Sequence, residues 1–443
     1  MGGGYCLTYF TLPSPQINMK EDFLQYLWRF QKLGPEPLTT DRGVPIRVVH
    51  TGIPNLGEGP DFLQAKLWIG ETLWAGDVEV HIKAASWYHH RHHTDSKYEA
   101  VILHVVWEND VEVCYPSGRT LPCLKLSNRI PPQWWKKYYK SFEKKPHWIP
   151  CEKGIAQFPD FKWQNWIERL YLERLESKTI QIKLLLHQSK NNWEGVLFQL
   201  LAKNFGLNLN GAVFLKWAQH LPFQIVQKIS HDGSLLEALF MGISGLLSGE
   251  MNSAYKKQLR SEYDYLKQKF GFKEIPGIRM QFKGLRPPNF PTIRLSQLAQ
   301  FYTQNPRPFS RLIQADNLME FDWIRKVGVS PFWETHYTFD KSSPQKSKKI
   351  SQPFLNLLLI NTLIPLRFAY YQSQGGNAEE KILQWIGALP AESNSITKGF
   401  TQLGINLPSA LFSQSLLQLK AFYCDPKKCL RCAVGFHLFD FST

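Results

Sequence analysis

Hydrophobic and polar positions fall into two regimes along this chain. From Met19 to Lys32, "MKEDFLQYLWRFQK", apolar residues recur at Phe23, Leu24, Leu27, Trp28 and Phe30, which is helical spacing. "VPIRVVHTG" (44–52), "DFLQAKLWI" (61–69), "LWAGDVEVHIK" (73–83) and "YEAVILHVVWEND" (98–110) then read as strands, with the turn "IGET" joining the middle two. Beyond "PPQWWKKYYKSFEKKPHWIP" (131–150) the period changes. "WQNWIERLYLERLESKTIQIKLLL" (163–186) and "WEGVLFQLLAKNFGL" (193–207) carry long 3.6-residue stripes with charges between them. The Pro-rich "GLRPPNFP" (284–291) and the basic, serine-rich "DKSSPQKSKK" (340–349) are loops, and no repeat recurs at solenoid periods. The pattern predicts an α+β protein, with a mixed-sheet unit over residues 1–150 and a mainly helical unit ending in a cysteine-bearing tail over 151–443.

A length of 443 residues suits two or three cooperating units, and 43% hydrophobic with 14% aromatic residues describes an ordered chain. Lys+Arg of 52 against Asp+Glu of 37 gives a formal charge of +15, a field that concentrates polyanions. DNA or RNA is therefore the expected partner; the competing reading is a basic surface that only maintains solubility. Protein partners are not indicated. The start, "MGGGYCLTYFTLPSP", lacks the charged and apolar regions of a secretory signal, so a cytoplasmic location is expected. Phe354 to Tyr371 is interrupted by Asn356, Asn361, Pro365 and Arg367, which predicts a buried helix and no membrane association. Seven cysteines in a reducing compartment read as thiols or metal ligands.

The chemistry concentrates near the hairpin. With the turn at Gly70 and Glu71, paired residue numbers sum to roughly 142, so Asp61 is expected opposite His81 and beside Glu79. Alternation puts Asp77, Glu79, His81 and Lys83 on one face, with Val78, Val80 and Ile82 on the other, against the core. Asp61 and Glu79 would suit a hard cation, Mg²⁺ or Mn²⁺. The alternative is an edge hairpin with a polar, solvated face.

His81, His89, His90, His92, His93 and His104 make up six of the thirteen histidines. His90 with His93, or His89 with His92, joined by Asp95, can form a transition-metal site; the same imidazoles can contact phosphate, or the segment is a solvated loop. His104, inside "VILHVV", reads as a core histidine unless alternation turns it to the acidic face. In "YCDPKKCLRCAVGFH", Cys424, Cys429, Cys432 and His437 have spacing that can close on zinc, with a distant cysteine as the alternative fourth ligand. An iron–sulfur cluster completed by Cys6 or Cys151 is a further alternative, and three packed thiols another. "WWKKYYKSFEKK" (134–145) interleaves Lys136 and Lys137 with aromatics, as a nucleic-acid surface or as the wet side of an apolar stripe. Arg286, Arg294, Arg307 and Arg311 flank proline-rich turns and pair with helix ends or with phosphate.

The order helix, strand, strand with Pro60-Asp61, strand with Glu79-Val80-His81, short segment, strand resembles the PD-(D/E)XK nuclease superfamily over residues 19–110. That resemblance implies a restriction-endonuclease-like core, metal binding by Asp61 and Glu79, help from Glu21 or Asp22, and a lysine that activates water. Here His81 occupies the lysine slot; histidine can take a proton near neutral pH, so His81 or Lys83 would position and deprotonate water, with Lys83 or Lys66 supplying the ammonium. Some nucleases of that superfamily staple distant chain ends with one upstream and three C-terminal cysteines, which implies the iron–sulfur alternative above. The whole chain also resembles an uncharacterised bacterial family of unknown function, through "GPDF", "GDVEVH", "VILHVV" and the C-terminal cysteines. The expectation is a nucleic-acid-binding protein acting as a metal-dependent nuclease. Its rivals are an inactive nuclease-like fold that binds nucleic acid or ribonucleoprotein, and a helical protein-interaction scaffold.

Overall fold

A computed structural model describes residues 19–438, apart from 56, 116, 132–133, 135–146, 251–252, 274 and 276. Cys6, Lys136 and Lys137, with most of the basic aromatic stretch, lie outside the described residues. The chain is α+β and divides into two units, residues 1–162 with 419–443, and residues 163–418. The cysteine tail, grouped with the helices on sequence, belongs with the sheet. Cys429 and Leu430 enter the same apolar core as Phe23, Leu24 and Leu27, and the Phe436 ring lies 4.6 Å from Phe30 and 5.9 Å from Tyr26.

In the first unit, α1 (Glu21–Arg29) buries Phe23, Leu24 and Leu27 on one stripe and carries Glu21 and Asp22 in its first turn, where the helix dipole favours acids. The strands follow as β1 (Leu38–Thr39), β2 (Pro45–His50), β3 (Ile53–Pro54), β4 (Phe62–Ile69), β5 (Thr72–Lys83), β6 (Val101–Glu108) and β7 (Cys123–Lys125). They form one sheet in the order β1-β2-β4-β5-β6-β7, with β3 also on β4. β4 and β5 are antiparallel, whereas β6 runs parallel to both β5 and β7, so the sheet is mixed. Val78 and Val80 meet α1 on one face. The other face is covered by Trp87 and Tyr98 from the β5–β6 connection, packed with Ala84, Val101 and Val106.

The hairpin register corrects the sequence expectation. From Ile69↔Thr72 to Ala65↔Gly76 the pairing is regular, then slips by one so that Phe62 faces Val78. Gln64 makes the slip by adopting a left-handed backbone (φ +57°), and its N–H donates to the Asp77 carboxylate at 3.0 Å. Continuing this register sets Asp61 opposite Glu79, not His81.

The helical unit contains α3 (Asp160–Gln188, from Trp163 onward), α4 (Trp193–Phe205) and the helices that follow. Gln352–Ser373 is long and apolar enough to cross a membrane by length and composition, and 72% of its apolar window is buried, as a core helix requires. Its Arg367 guanidinium donates to the Ile313 and Ala315 carbonyls, each at 2.6 Å. Glu237, fully buried in the same unit, accepts from Ser296, Tyr255, Ser330 and Trp333, so its carboxylate is satisfied by neutral donors.

The bulge generates a stability prediction. A β-branched residue resists positive φ, at a cost of about 1–2 kcal/mol relative to a permissive residue. Gln64→Val is expected to lower urea-denaturation stability by about that amount relative to Gln64→Gly. Equal midpoints for the two variants would show that residue 64 does not carry the register shift.

Candidate metal centre

At the bulge β4 leaves β5, and the exposed edge of β5 needs new hydrogen-bond partners. Carboxylates supply them. The Val80 N–H donates to Asp61 Oδ2 at 3.1 Å, and the Ile82 N–H to Glu21 of α1. Reciprocally, the Asp61 N–H donates to Glu79 Oε2 at 3.0 Å, and Gln25 Nε2 donates to Asp61 Oδ1 at 2.7 Å. Three acids from three elements are thus gathered at one strand end. Burial pushes the carboxyls of Asp61 and Glu79 above the usual carboxylate range, and the Asp61 charge raises Glu79 further. Burial raises Glu21 in the same sense.

The second oxygen of Glu79 faces imidazoles. Glu79 Oε1 lies 3.3 Å from His81 Nε2 and 3.5 Å from His92 Nε2, and both His side chains are nearly excluded from solvent, at 2% and 11% exposure. The ligand atoms of His81, His90 and His92 all lie within 4.8 Å of one another. His81 comes from β5, while His90 and His92 come from the segment after α2 (Ser86–His89). Arg91, in a left-handed backbone (φ +61°), bends that segment between the two. The rings of His81 and His92 stack at 5.3 Å, and Tyr98 stacks on the far side of His92 at 3.8 Å.

Burial holds His81, His92 and His104 neutral: it drives His81 far below its ordinary value, His92 to about 4 and His104 to about 3. A neutral imidazole is the form that ligates metal. His104, fully buried on β6 beside Glu79, places Nε2 2.9 Å from His81 Nδ1. For His81 Nε2 to offer its lone pair, Nδ1 must carry the proton and donate to His104, so His104 selects the tautomer as a partner behind a metal-ligating histidine does. Three imidazoles, with Glu79 beside two of them, favour a borderline transition metal such as Zn, Mn or Fe over the Mg²⁺ that Asp61 and Glu79 alone suggested.

The remaining sequence candidates are placed apart from this cluster. Lys83 reaches Glu108 at 4.0 Å and is exposed, and Lys66 faces solvent on β4. Asp95 accepts from the Lys97 N–H and caps a short helix, and His89 is exposed. His93 packs on Tyr88 at 5.2 Å with its Nδ1 buried and unpaired, and with His92 lines an open pocket walled by Trp87, Tyr98 and Tyr115. In the helical unit, Arg294 turns inward to Gln297 and Asn289, which removes it from a phosphate-binding surface. His437 pairs through Nδ1 with Lys162 at 3.2 Å and packs on Phe158. Sequence reasoning missed Gln25, which has no motif around it. His104 carried one usable signal, a polar residue at an inward position of an apolar strand.

The chain belongs to the family described as "Protein of unknown function (DUF2851)", whose pattern matches residues 21–395. The match contains every residue of the imidazole–carboxylate cluster and stops short of the cysteine tail. No curated protein and no solved structure matches the chain.

A Co²⁺ titration of untagged protein is expected to give d–d absorption without thiolate charge transfer when the imidazole site fills. His81→Ala and His92→Ala should abolish that signal, His104→Phe should weaken affinity about 10–100-fold, and Lys83→Ala should leave it unchanged. Unaltered binding in folded His81→Ala and His92→Ala proteins would remove the cluster as a metal centre.

Proposed function

We propose that this chain is a metal-dependent phosphodiesterase acting on DNA or RNA, with Glu79, His81, His90 and His92 holding the metal. The observation that carries the proposal is the convergence of Glu79 Oε1 with the Nε2 atoms of His81 and His92, at 3.3 and 3.5 Å. Two further features support it. A formal charge of +15 favours a polyanionic substrate. The order of elements, with Asp61 opposite Glu79 at the end of a splayed hairpin and a parallel strand following, is the order on which the resemblance to PD-(D/E)XK nucleases rests.

A bound metal would supply a Lewis acid and acidify water for phosphodiester hydrolysis, in which the water oxygen bonds to phosphorus and the P–O bond to the departing alcohol breaks, the proton going to that alcohol. The chain's own groups prepare that step. Glu79 and the three imidazoles fix the metal; His104 keeps His81 in the ligating tautomer. Asp61 has both carboxylate oxygens engaged, by Gln25 and the Val80 N–H, and is a positioning residue that locks β5 in place. His90 is the exposed ligand, so solvent and substrate approach from its side. The basic surface contributes sequence-independent binding through phosphate neutralisation.

The test uses labelled single- and double-stranded DNA and RNA with Mn²⁺, Zn²⁺, Mg²⁺ or EDTA, reading binding and cleavage on the same samples. Cleavage is expected to require metal and to fall about 10²-fold or more in Glu79→Gln and His92→Ala, a loss of several kcal/mol of transition-state stabilisation. Salt-sensitive binding without cleavage would make the chain a nucleic-acid-binding module. Absence of both binding and cleavage would exclude nucleic acid as the substrate.

A further inference from the structure

The helical unit contains a ring of charged and amide side chains that the imidazole centre does not use. Tyr171, Arg174 and Lys178 of α3 are spaced three and four residues apart, so they share one face of that helix. Arg174 Nε donates to Gln414 Oε1 at 2.7 Å, and Lys178 Nζ donates to Asn361 Oδ1 at 3.1 Å. Both amides then donate to one carboxylate: Gln414 Nε2 to Glu392 Oε2, and Asn361 Nδ2 to Glu392 Oε1 at 3.5 Å. The Glu392 backbone N–H is held in turn by the Ser413 hydroxyl at 3.1 Å. Asn361 and Gln414 come from two further helices, Gln352–Ser373 and Ala410–Leu419, so hydrogen bonds close the ring across segments distant in sequence.

Asn361 reaches the ring from a π turn, Leu359–Leu363, inside an otherwise apolar helix, and such turns occur frequently at functional sites. In the same turn the Thr362 hydroxyl accepts from Asn204 of α4 at 2.7 Å. The ring leaves positive charge unmet. Among the described residues neither Arg174 nor Lys178 forms an ion pair; each commits one donor to a neutral amide, and the Arg174 Nη groups and the rest of the Lys178 ammonium have no protein acceptor. Burial, then the Arg174 charge, drives the Lys178 ammonium down to about 7; Glu392 opposes this and Lys203 of α4 adds to it. On the same face Tyr171, 1% exposed, has a buried hydroxyl without a partner, within electrostatic reach of Arg174 and Glu392.

We infer that Tyr171, Arg174 and Lys178 form a binding site for a phosphate dianion, with Asn361, Gln414 and Glu392 holding the two cations in place. Two cations against one carboxylate leave one net positive charge, and Lys203 supplies a second, which matches the charge of about −1.5 to −2 that a phosphate monoester carries at pH 7. The guanidinium fork presents parallel donors to two oxygens, the ammonium a point charge, and Tyr171 a neutral donor. A ring that only joined helices would need no such excess of charge, because unpaired cations removed from water cost stability. Arg174, Lys178, Asn361 and Glu392 are each half-buried, so the ring reaches the surface of the unit.

The experiment is calorimetric titration of the full-length protein in EDTA, so that a metal at the imidazole centre does not contribute. The probes are inorganic phosphate, a nucleoside 5′-monophosphate, sulfate and acetate. Saturable binding of the first three is expected, with acetate weaker by about tenfold or more. Arg174→Gln and Lys178→Gln should each weaken phosphate by about tenfold or more, and Glu392→Gln, which removes the opposing charge, should tighten it. Lys183→Ala, an exposed lysine of the same helix, should leave binding unchanged. Sulfate keeps its charge across neutral pH, so its affinity should fall as pH rises through about 7, where Lys178 gives up its proton. Tighter binding of the monophosphate than of inorganic phosphate would identify an ester as the ligand, and the reverse order free phosphate; either sustains the inference. Should the Arg174 and Lys178 variants fail to fold, the isosteric Glu392→Gln decides by the sign of its effect. No saturable phosphate binding by the folded parent, indifference to Arg174→Gln and Lys178→Gln, or binding no tighter in Glu392→Gln would overturn it.

Discussion

The backbone amides that β5 loses when β4 turns away at Gln64 must be paired, and this requirement organises the first unit. Water is poorly placed to serve an edge packed beneath α1, so side-chain carboxylates accept the Val80 and Ile82 N–H groups. Each cap is locally favourable. Together they bring Asp61 and Glu21 to Glu79, an arrangement that like charges and burial oppose, as the raised carboxyls record. A strand-edge solution thereby becomes an electrostatic demand for positive charge.

The histidines stand where that demand can be met. His81 and His92 sit beside Trp87 and Tyr98 on the face of β5 away from α1, and burial keeps these two uncharged. Neutral imidazoles cannot neutralise the acids themselves, yet they are suited to bring a cation beside them. The same shielding orders the rings: His92 is held between His81 and Tyr98, and His81 is tied to His104. Rigid ligands with a fixed tautomer lose little freedom on binding metal, which is the physical meaning of a prepared site.

Much of this architecture was legible in the chain. The 3.6-residue and two-residue periods placed α1, β2, β4, β5, β6 and the long helices, because burial of one stripe or one face is decided locally by the order of apolar residues. The same alternation put Glu79 and His81 on a common face opposite Val78 and Val80. The family resemblance was read from "GPDF" and "GDVEVH", and both segments lie within the matched residues 21–395. By contrast, the hairpin register was displaced, since a bulge at Gln64 depends on how β4 pairs with both neighbours and has no glycine to announce it.

What the sequence by itself determined is the alternation along each strand, the stripe on each helix, and the excess of positive charge; these are properties of neighbours in the chain. Only the tertiary structure decided that Asp61 faces Glu79, that His90 and His92 fold back on His81, that His104 on a separate strand selects its tautomer, and that Cys429 and Leu430 of the tail return to the core under α1. Those are meetings between segments. They depend on strand register, a left-handed turn at Arg91 and the docking of the tail on α1, and the free energy of each is set by burial that no local pattern records.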